Sequence, residues 1–197
     1  MEKKFYRRRS DLFWRCVEIL CCNIDVLSYF YVKIIGKEYK KEYKIFDVGK
    51  SRRILHIGCG MFPITALTLA DEYDLNIVAI DNRKDVIKTA KQIIKNKKLE
   101  KKITVEIGEG ETYPLKRFDT IIISSCSIPK IKILENIFKN AKPDCKIIVR
   151  ELQQERDLIT DYINSNKNFL VNGEIDNYAF FGLKWKSFYF TKKELTV

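Results

Sequence analysis

Two glycines and an acid carry the first chemical suggestion in this chain. Gly58-Cys59-Gly60 follows the apolar run Ile54-Leu55-His56-Ile57, and Asp81 stands about 20 residues further on. Glycine at such a turn lets backbone approach a ligand with no Cβ in the way. Pro63 suits the first turn of a following helix, because its missing N–H would have no intrahelical acceptor there. That helix start aims unpaired N–H groups at whatever sits over the turn. The stretch is read as a strand–turn–helix nucleotide-binding corner. Asp81, at the end of the strand Asn76–Asn82, is placed to accept both hydroxyls of a ribose. A second reading makes Asp81 or Asn82 the cap of the next helix. The common dinucleotide fingerprint has a third glycine where this chain reads Met61-Phe62-Pro63-Ile64, so a nicotinamide dinucleotide is not favoured.

Those residues need elements to hold them. The spacing predicts a third strand over 103–107 followed by Gly108-Glu109-Gly110, which brings Glu109 and Gly110 to the same sheet end as Cys59 and Asn82. An apolar fourth strand over 118–124 should be buried on both faces and ends at Ser124. A loop through Ser125, Cys126 and Pro129 leads to a helix from about 131 to 140, and a fifth strand ends at Arg150. A helix over 152–165 and two closing strands, 168–175 and 183–190, complete the chain. Alternating strands and helices imply an α/β fold with helices on both faces of a Rossmann-like, doubly wound sheet. The sheet is mostly parallel, with a closing antiparallel strand.

Residues 1–51 are read as an N-terminal helical cap, and 52–197 as the ligand-binding domain, the two forming one compact unit. Within the cap, residues 1–9 are expected to form a mobile basic arm. Ser10 caps a helix whose stripe runs Leu12, Cys16, Ile19, Asn23, Val26, Phe30, Ile34, widened by Leu20 and Leu27, and which ends near Gly36. Residues 37–51 then form a tyrosine-rich, lid-like connector.

At 197 residues there is room for a proper core. The net charge of +11 makes anionic partners such as RNA possible. However, the lysines are evenly spread and no aromatic platform is interleaved with them, so a small-molecule acceptor leads and nucleic acid is not favoured. Six cysteines without a C-x-x-C pair, and one histidine, leave no expected metal site. The cysteines are read as reduced, in a cytoplasmic protein. Charges within the N-terminal apolar region argue against a signal or a membrane span.

From about residue 52 to 191 the pattern resembles the class I S-adenosylmethionine-dependent transferases. That resemblance implies that Gly58 and Gly60 meet the methionine part of the cofactor, Asp81 its ribose and Glu109 its adenine. One subfamily is more similar still, the nicotianamine synthases. They share Gly-x-Gly-x-x-Pro-x-Thr (Gly58, Gly60, Pro63, Thr65), Ile-Pro-Lys (128–130) and Ile-Ile-Val-Arg (147–150), leading to a second arginine at 156. Those enzymes move the aminocarboxypropyl arm of the cofactor, and they carry a large helical domain before the first strand, where this chain has about 50 residues. His56 stands where methyltransferases usually have an acid, and Glu109 where they usually have Asp.

Both reactions are displacements at a carbon next to a sulfonium, so positioning dominates. Candidate catalytic groups are Tyr39, Tyr43 and Glu42 from the connector, and Ser124, Ser125 and Cys126 after strand four. Arg150 and Tyr113 are candidates for the substrate, with Arg150 otherwise pairing with Glu151 or Asp144. Cys126 is expected to be buried and inert, and His56 to be a satisfied structural histidine. Methyl transfer to a small molecule is the expected reaction, with aminocarboxypropyl transfer the alternative. RNA-directed methyl transfer and a non-catalytic binding role stand behind them.

Overall fold

The computed structural model describes residues 2–153, 156–165, 169–179 and 184–192. Among these residues, seven strands form one sheet in the order β3-β2-β1-β4-β5-β7-β6. They are β1 (Arg53–Ile57), β2 (Asn76–Asp81), β3 (Ile103–Ile107), β4 (Thr120–Ile123), β5 (Lys146–Leu152), β6 (Phe169–Tyr178) and β7 (Lys184–Lys192). β1 to β5 are parallel, and β7 is antiparallel to both β5 and β6. The closing antiparallel strand is therefore present as expected. β4 is buried along its whole length, which explains its unbroken Ile121-Ile122-Ile123 run.

The helices are α1 (Glu2–Asn23), α2 (Asp25–Ile45), α3 (Ile64–Glu72), α4 (Lys84–Asn96), α5 (Lys130–Asn140) and α6 (Arg156–Ser165). Ile54 and Ile122 face a core shared with α2, α3 and α4. Leu55 and Ile121 face the opposite core, built with α5 and α6. Strand side chains alternate faces. His56, Ser124 and Arg150, each two residues beyond Ile54, Ile122 and Ile148, therefore share the α2 face. The order also reverses direction at β1. The chain leaves β1 toward β2 and β3, then returns to β4 on the other side. Loops after β1 and β4 diverge there and open a crevice at the strands' carboxyl ends.

The N-terminal region departs from expectation. The backbone of residues 2–9 is helical, within α1, and Ser10 lies inside that helix rather than capping it. One helix ending near Gly36 is instead two, broken at Ile24. α2 runs through Gly36 because that glycine packs α2 onto α3, not because the helix stops there: a Cβ at Gly36 would sit 3.3 Å from Thr68 Oγ1. The connector over 37–51 is the second half of α2 followed by a short 3₁₀ turn at Val48–Lys50. Ile35, Tyr39, Glu42, Tyr43 and Phe46 recur at three- and four-residue steps on its inner side. The inward face of α1 is also not the expected one. Trp14, Val17 and Cys21 pack against the core, while Leu12, Ile19, Leu20, Val26 and Phe30 of the expected stripe are exposed.

Candidate functional site

A cavity of about 340 Å³ opens at the carboxyl ends of β1, β2, β4 and β5, with α1 and α2 over it. Its floor is the glycine turn. Gly58 (φ 78°) and Gly60 (φ 69°) are both left-handed, a conformation that glycine adopts without strain. A Cβ at Gly58 would lie 2.2 Å from Ser127 Oγ, and one at Gly60 would lie 2.0 Å from Glu18 Oε1. Glycine is thus required at both positions, because Ser127 of the β4–α5 loop and Glu18 of α1 take the space that a Cβ would need.

Asp81 is buried and lies beside that turn. Its carboxylate accepts from the Gly60 N–H (3.2 Å), the Arg83 N–H (3.2 Å) and Arg83 Nε (3.0 Å). Asp81 thus ties the β2 end to the glycine turn and to Arg83; neither it nor Asn82 caps α4, whose N-cap residue is Arg83 with no side-chain cap bond. Asn82 donates to Glu109 Oε2 at 3.3 Å, which joins the loops after β2 and β3. Gly110 completes that wall, and its carbonyl accepts from Asn136 of α5.

Of the other residues expected at the site, Cys59, Ser124, Ser125, Cys126, Tyr39 and Arg150 line the cavity. Cys126 is exposed, against expectation. Tyr43 and Tyr113 are not among the lining residues. Tyr43 is fully buried behind the wall, its hydroxyl donating to the Thr65 carbonyl. Tyr113 packs instead against the core on the α5 side, donating to Glu106 Oε2 at 2.7 Å and lying on Gly108.

Arg150 pairs with neither Glu151 nor Asp144. It is 2% exposed and meets the fully buried Glu42 of α2, with Nη2 at 2.7 Å from Oε1. Nη1 donates to Thr65 Oγ1 at 2.7 Å, and the guanidinium lies 3.6 Å from the Tyr39 ring centroid. Burial works against the guanidinium charge, but the Glu42 carboxylate more than offsets it and holds Arg150 protonated. Arg150 therefore fixes the Tyr39 ring that faces the cavity. Glu151 instead receives Lys130, whose Nζ also donates to the carbonyls of Ser124 (2.8 Å), Ser125 (3.0 Å) and Arg150 (2.8 Å). Those bonds shape the loop after β4.

Two residues gain weight from the structure. His56 Nε2 lies 2.8 Å from Ser124 Oγ, while burial and the Arg150 charge push its pKa down to about 3. It is neutral near pH 7, and its Nδ1 has no hydrogen-bond partner among the described residues. It is therefore not the fully satisfied histidine that was expected. Glu18 of α1 was not anticipated at all. It accepts from the Met61 N–H at 3.2 Å, and burial raises its pKa to about 7. The signal was present in the sequence, since Glu18 follows Trp14 by four residues and precedes Cys21 by three, on what proves to be the buried face.

Aromatic rings complete the cap side. Trp14 and Tyr31 are 6.3 Å apart between centroids, and Tyr39 and Trp185 are 6.0 Å apart. The indole nitrogens of Trp14 and Trp185 are buried without a partner among the described residues. A family model described as a methyltransferase domain matches residues 49–195. The chain belongs to the methyltransferase-domain family. As a member it is an S-adenosylmethionine-dependent transferase, and S-adenosylmethionine is its cofactor.

Solved structures share the fold of this methyltransferase-domain chain. A mutant of MtNAS in complex with S-adenosylmethionine superposes with a TM-score of 0.73 at 18% identity, over 96% of this chain and 76% of that one. The cyclase SpnF gives 0.67 at 12% identity, over 80% and 81%. TrmN from Thermus thermophilus gives 0.65 at 14%, over 78% and 48%. The site's own features suit the cofactor: a glycine turn in the cavity wall, a buried carboxylate beside it, and buried polar atoms in the wall with no partner among the described residues.

Proposed function

We propose that this chain transfers the aminocarboxypropyl arm of S-adenosylmethionine to a small amine held beneath the α1–α2 cap. One observation carries this reading over methyl transfer. The three stretches patterned like nicotianamine synthases converge on Arg150. Thr65 accepts from its guanidinium, Lys130 donates to its carbonyl, and Arg150 itself ends the Ile-Ile-Val-Arg run. Arg156 opens α6, but its side chain lies outside the described residues. The MtNAS superposition adds support, because a match over 96% of the chain takes in most of the cap.

Gly58, Cys59 and Gly60 would hold the methionine portion of the cofactor, Asp81 the ribose, and Glu109 with Asn82 the adenine, with Ser124 beside them. The bound cofactor supplies a carbon already activated by the sulfonium charge. The chain's residues then do three things. The Trp14, Tyr31, Tyr39 and Trp185 rings exclude water and offer faces to a cationic amine. Glu18, poised near neutrality, takes the amine's proton so that its lone pair is free. Arg150 keeps Tyr39 in place and acts through it. Tyr39 remains in the proposal as a positioning group. Methyl transfer to a small molecule is the second reading, favoured by the family model's description. The aromatic lining and the modest cavity of about 340 Å³ favour a small molecule over nucleic acid.

The products decide between the two transfers. Incubation with S-adenosylmethionine and an amine pool should release methylthioadenosine in acceptor-dependent amounts. Release of S-adenosylhomocysteine instead would establish methyl transfer. Calorimetry tests the cofactor assignment separately. Asp81→Ala should weaken S-adenosylmethionine binding by roughly 10- to 100-fold, through lost hydrogen bonds to a charged acceptor. An unchanged affinity would remove Asp81 from the site.

A further inference from the structure

The outer face of the cap has no role in the site. Among the described residues, ten of the sixteen large apolar side chains left exposed come from residues 12–34. Leu12 (64% exposed), Ile19 and Leu20 mark the outer side of α1, and Leu27, Phe30 (51%) and Ile34 that of α2. Ile24, at the break between the helices, joins the two stripes. From roughly 40% to 60% exposure, ten such side chains present on the order of 900 Å² of surface. That exceeds the largest patch of an ordinary monomer, about 300–600 Å².

We infer that this face is the interface of a homodimer, a second copy of the chain packing its α1–α2 face against the first. The area matches the roughly 800 Å² per partner of a stable interface. The composition also fits, with apolar and aromatic side chains predominating among the exposed residues of the face. A two-fold axis lets one patch complement itself, so no other surface is needed. An anionic membrane is less well matched. Lysines further along α2 are already engaged with acids, Lys40 with Asp71 and Glu72, Lys41 with Glu38, and Lys44 with Glu72, and Lys33, on the stripe itself, lies over the Tyr29 ring. The same α1 carries Trp14 and Glu18 inward, so dimerisation clamps the cap over the cavity.

Sedimentation velocity on the full chain tests this. The wild-type protein should sediment as a dimer of 23.3 kDa chains. The double variant Leu20→Glu, Phe30→Glu should sediment as a monomer, with its far-UV circular dichroism and S-adenosylmethionine binding retained. Ile19→Ser, a milder change on the same face, should raise the dimer dissociation constant roughly tenfold while the fold stays intact. A wild-type monomer at high protein concentration would overturn the proposal. So would a double variant that folds and still dimerises. A monomer that cosediments with vesicles of phosphatidylserine, but not with neutral ones, would replace the proposal with membrane docking.

Discussion

Replacing Glu42 with Ala should cost roughly 3–5 kcal/mol of folding stability, because it strands the Arg150 charge in the core. Both partners are essentially inaccessible, and Arg150 is among the largest fully buried side chains among the described residues. Glu42 also accepts from Ser187 on β7, whose Cα is the register partner of Arg150. The loss therefore reaches α2, β5 and β7 together. A domain of this kind has only about 5–15 kcal/mol in hand, so the unfolding midpoint in urea should fall steeply. Glu42→Leu combined with Arg150→Met should recover much of that loss, since an apolar pair of similar volume carries no desolvation cost. Turnover should not recover with it, because Tyr39 loses the guanidinium it stacks on. A loss below about 1 kcal/mol for Glu42→Ala, typical of exposed ion pairs, would mean that water reaches Arg150.

This ion pair also shows where sequence reading stops. Glu42 and Arg150 are 108 residues apart, and no local spacing links them, so the sequence offers Arg150 only a substrate or the nearby acids Glu151 and Asp144. β-strands and glycine turns were legible because their signals are local. Ile121-Ile122-Ile123 marks a strand buried on both faces, and Gly58, Gly60 and Asp81 follow a fixed strand–turn–helix–strand order. Residues 12–46 misled for a physical reason. Their apolar residues lie on both sides of the helices, so periodicity alone could not choose the inner face. Trp14, Glu18 and Cys21 point inward, while the more apolar stripe through Leu12 and Phe30 stays outside. Gly36 looked like a helix end but serves close packing against Thr68. Tyr113 looked placed for the substrate because it follows β3. Its hydroxyl turns back to Glu106, an acid on the same strand that sequence order could not orient.

The second large effect concerns Glu18, and it has opposite signs for activity and stability. Burial lifts its pKa from an ordinary 4.5 to about 7. Between those values the folded chain keeps a proton that the unfolded chain has released. Stability from this group is therefore fully present below 4.5 and lost as pH rises through about 7. Above that, the fold carries a buried carboxylate beside Asp81 at a cost. Glu18→Gln removes the titration, so the variant should match the parent at low pH and become the more stable protein as pH rises through this window. Thermal melts of both proteins across pH measure that difference directly. His56 does not confuse it, because its pKa near 3 is common to both proteins. Activity should move the other way. If Glu18 takes the acceptor's proton, parent turnover rises along a limb at or below about 7, since a cationic ligand nearby favours the carboxylate. The Gln variant should lose that limb and be slower by roughly 100- to 10,000-fold. Glu18→Asp, which keeps a carboxylate on a shorter arm, should restore part of the rate and the limb with it. A Gln variant that keeps the limb would place the base elsewhere on the wall. A variant that loses rate without gaining stability at high pH would show that Glu18 holds the glycine turn through Met61 rather than moving a proton.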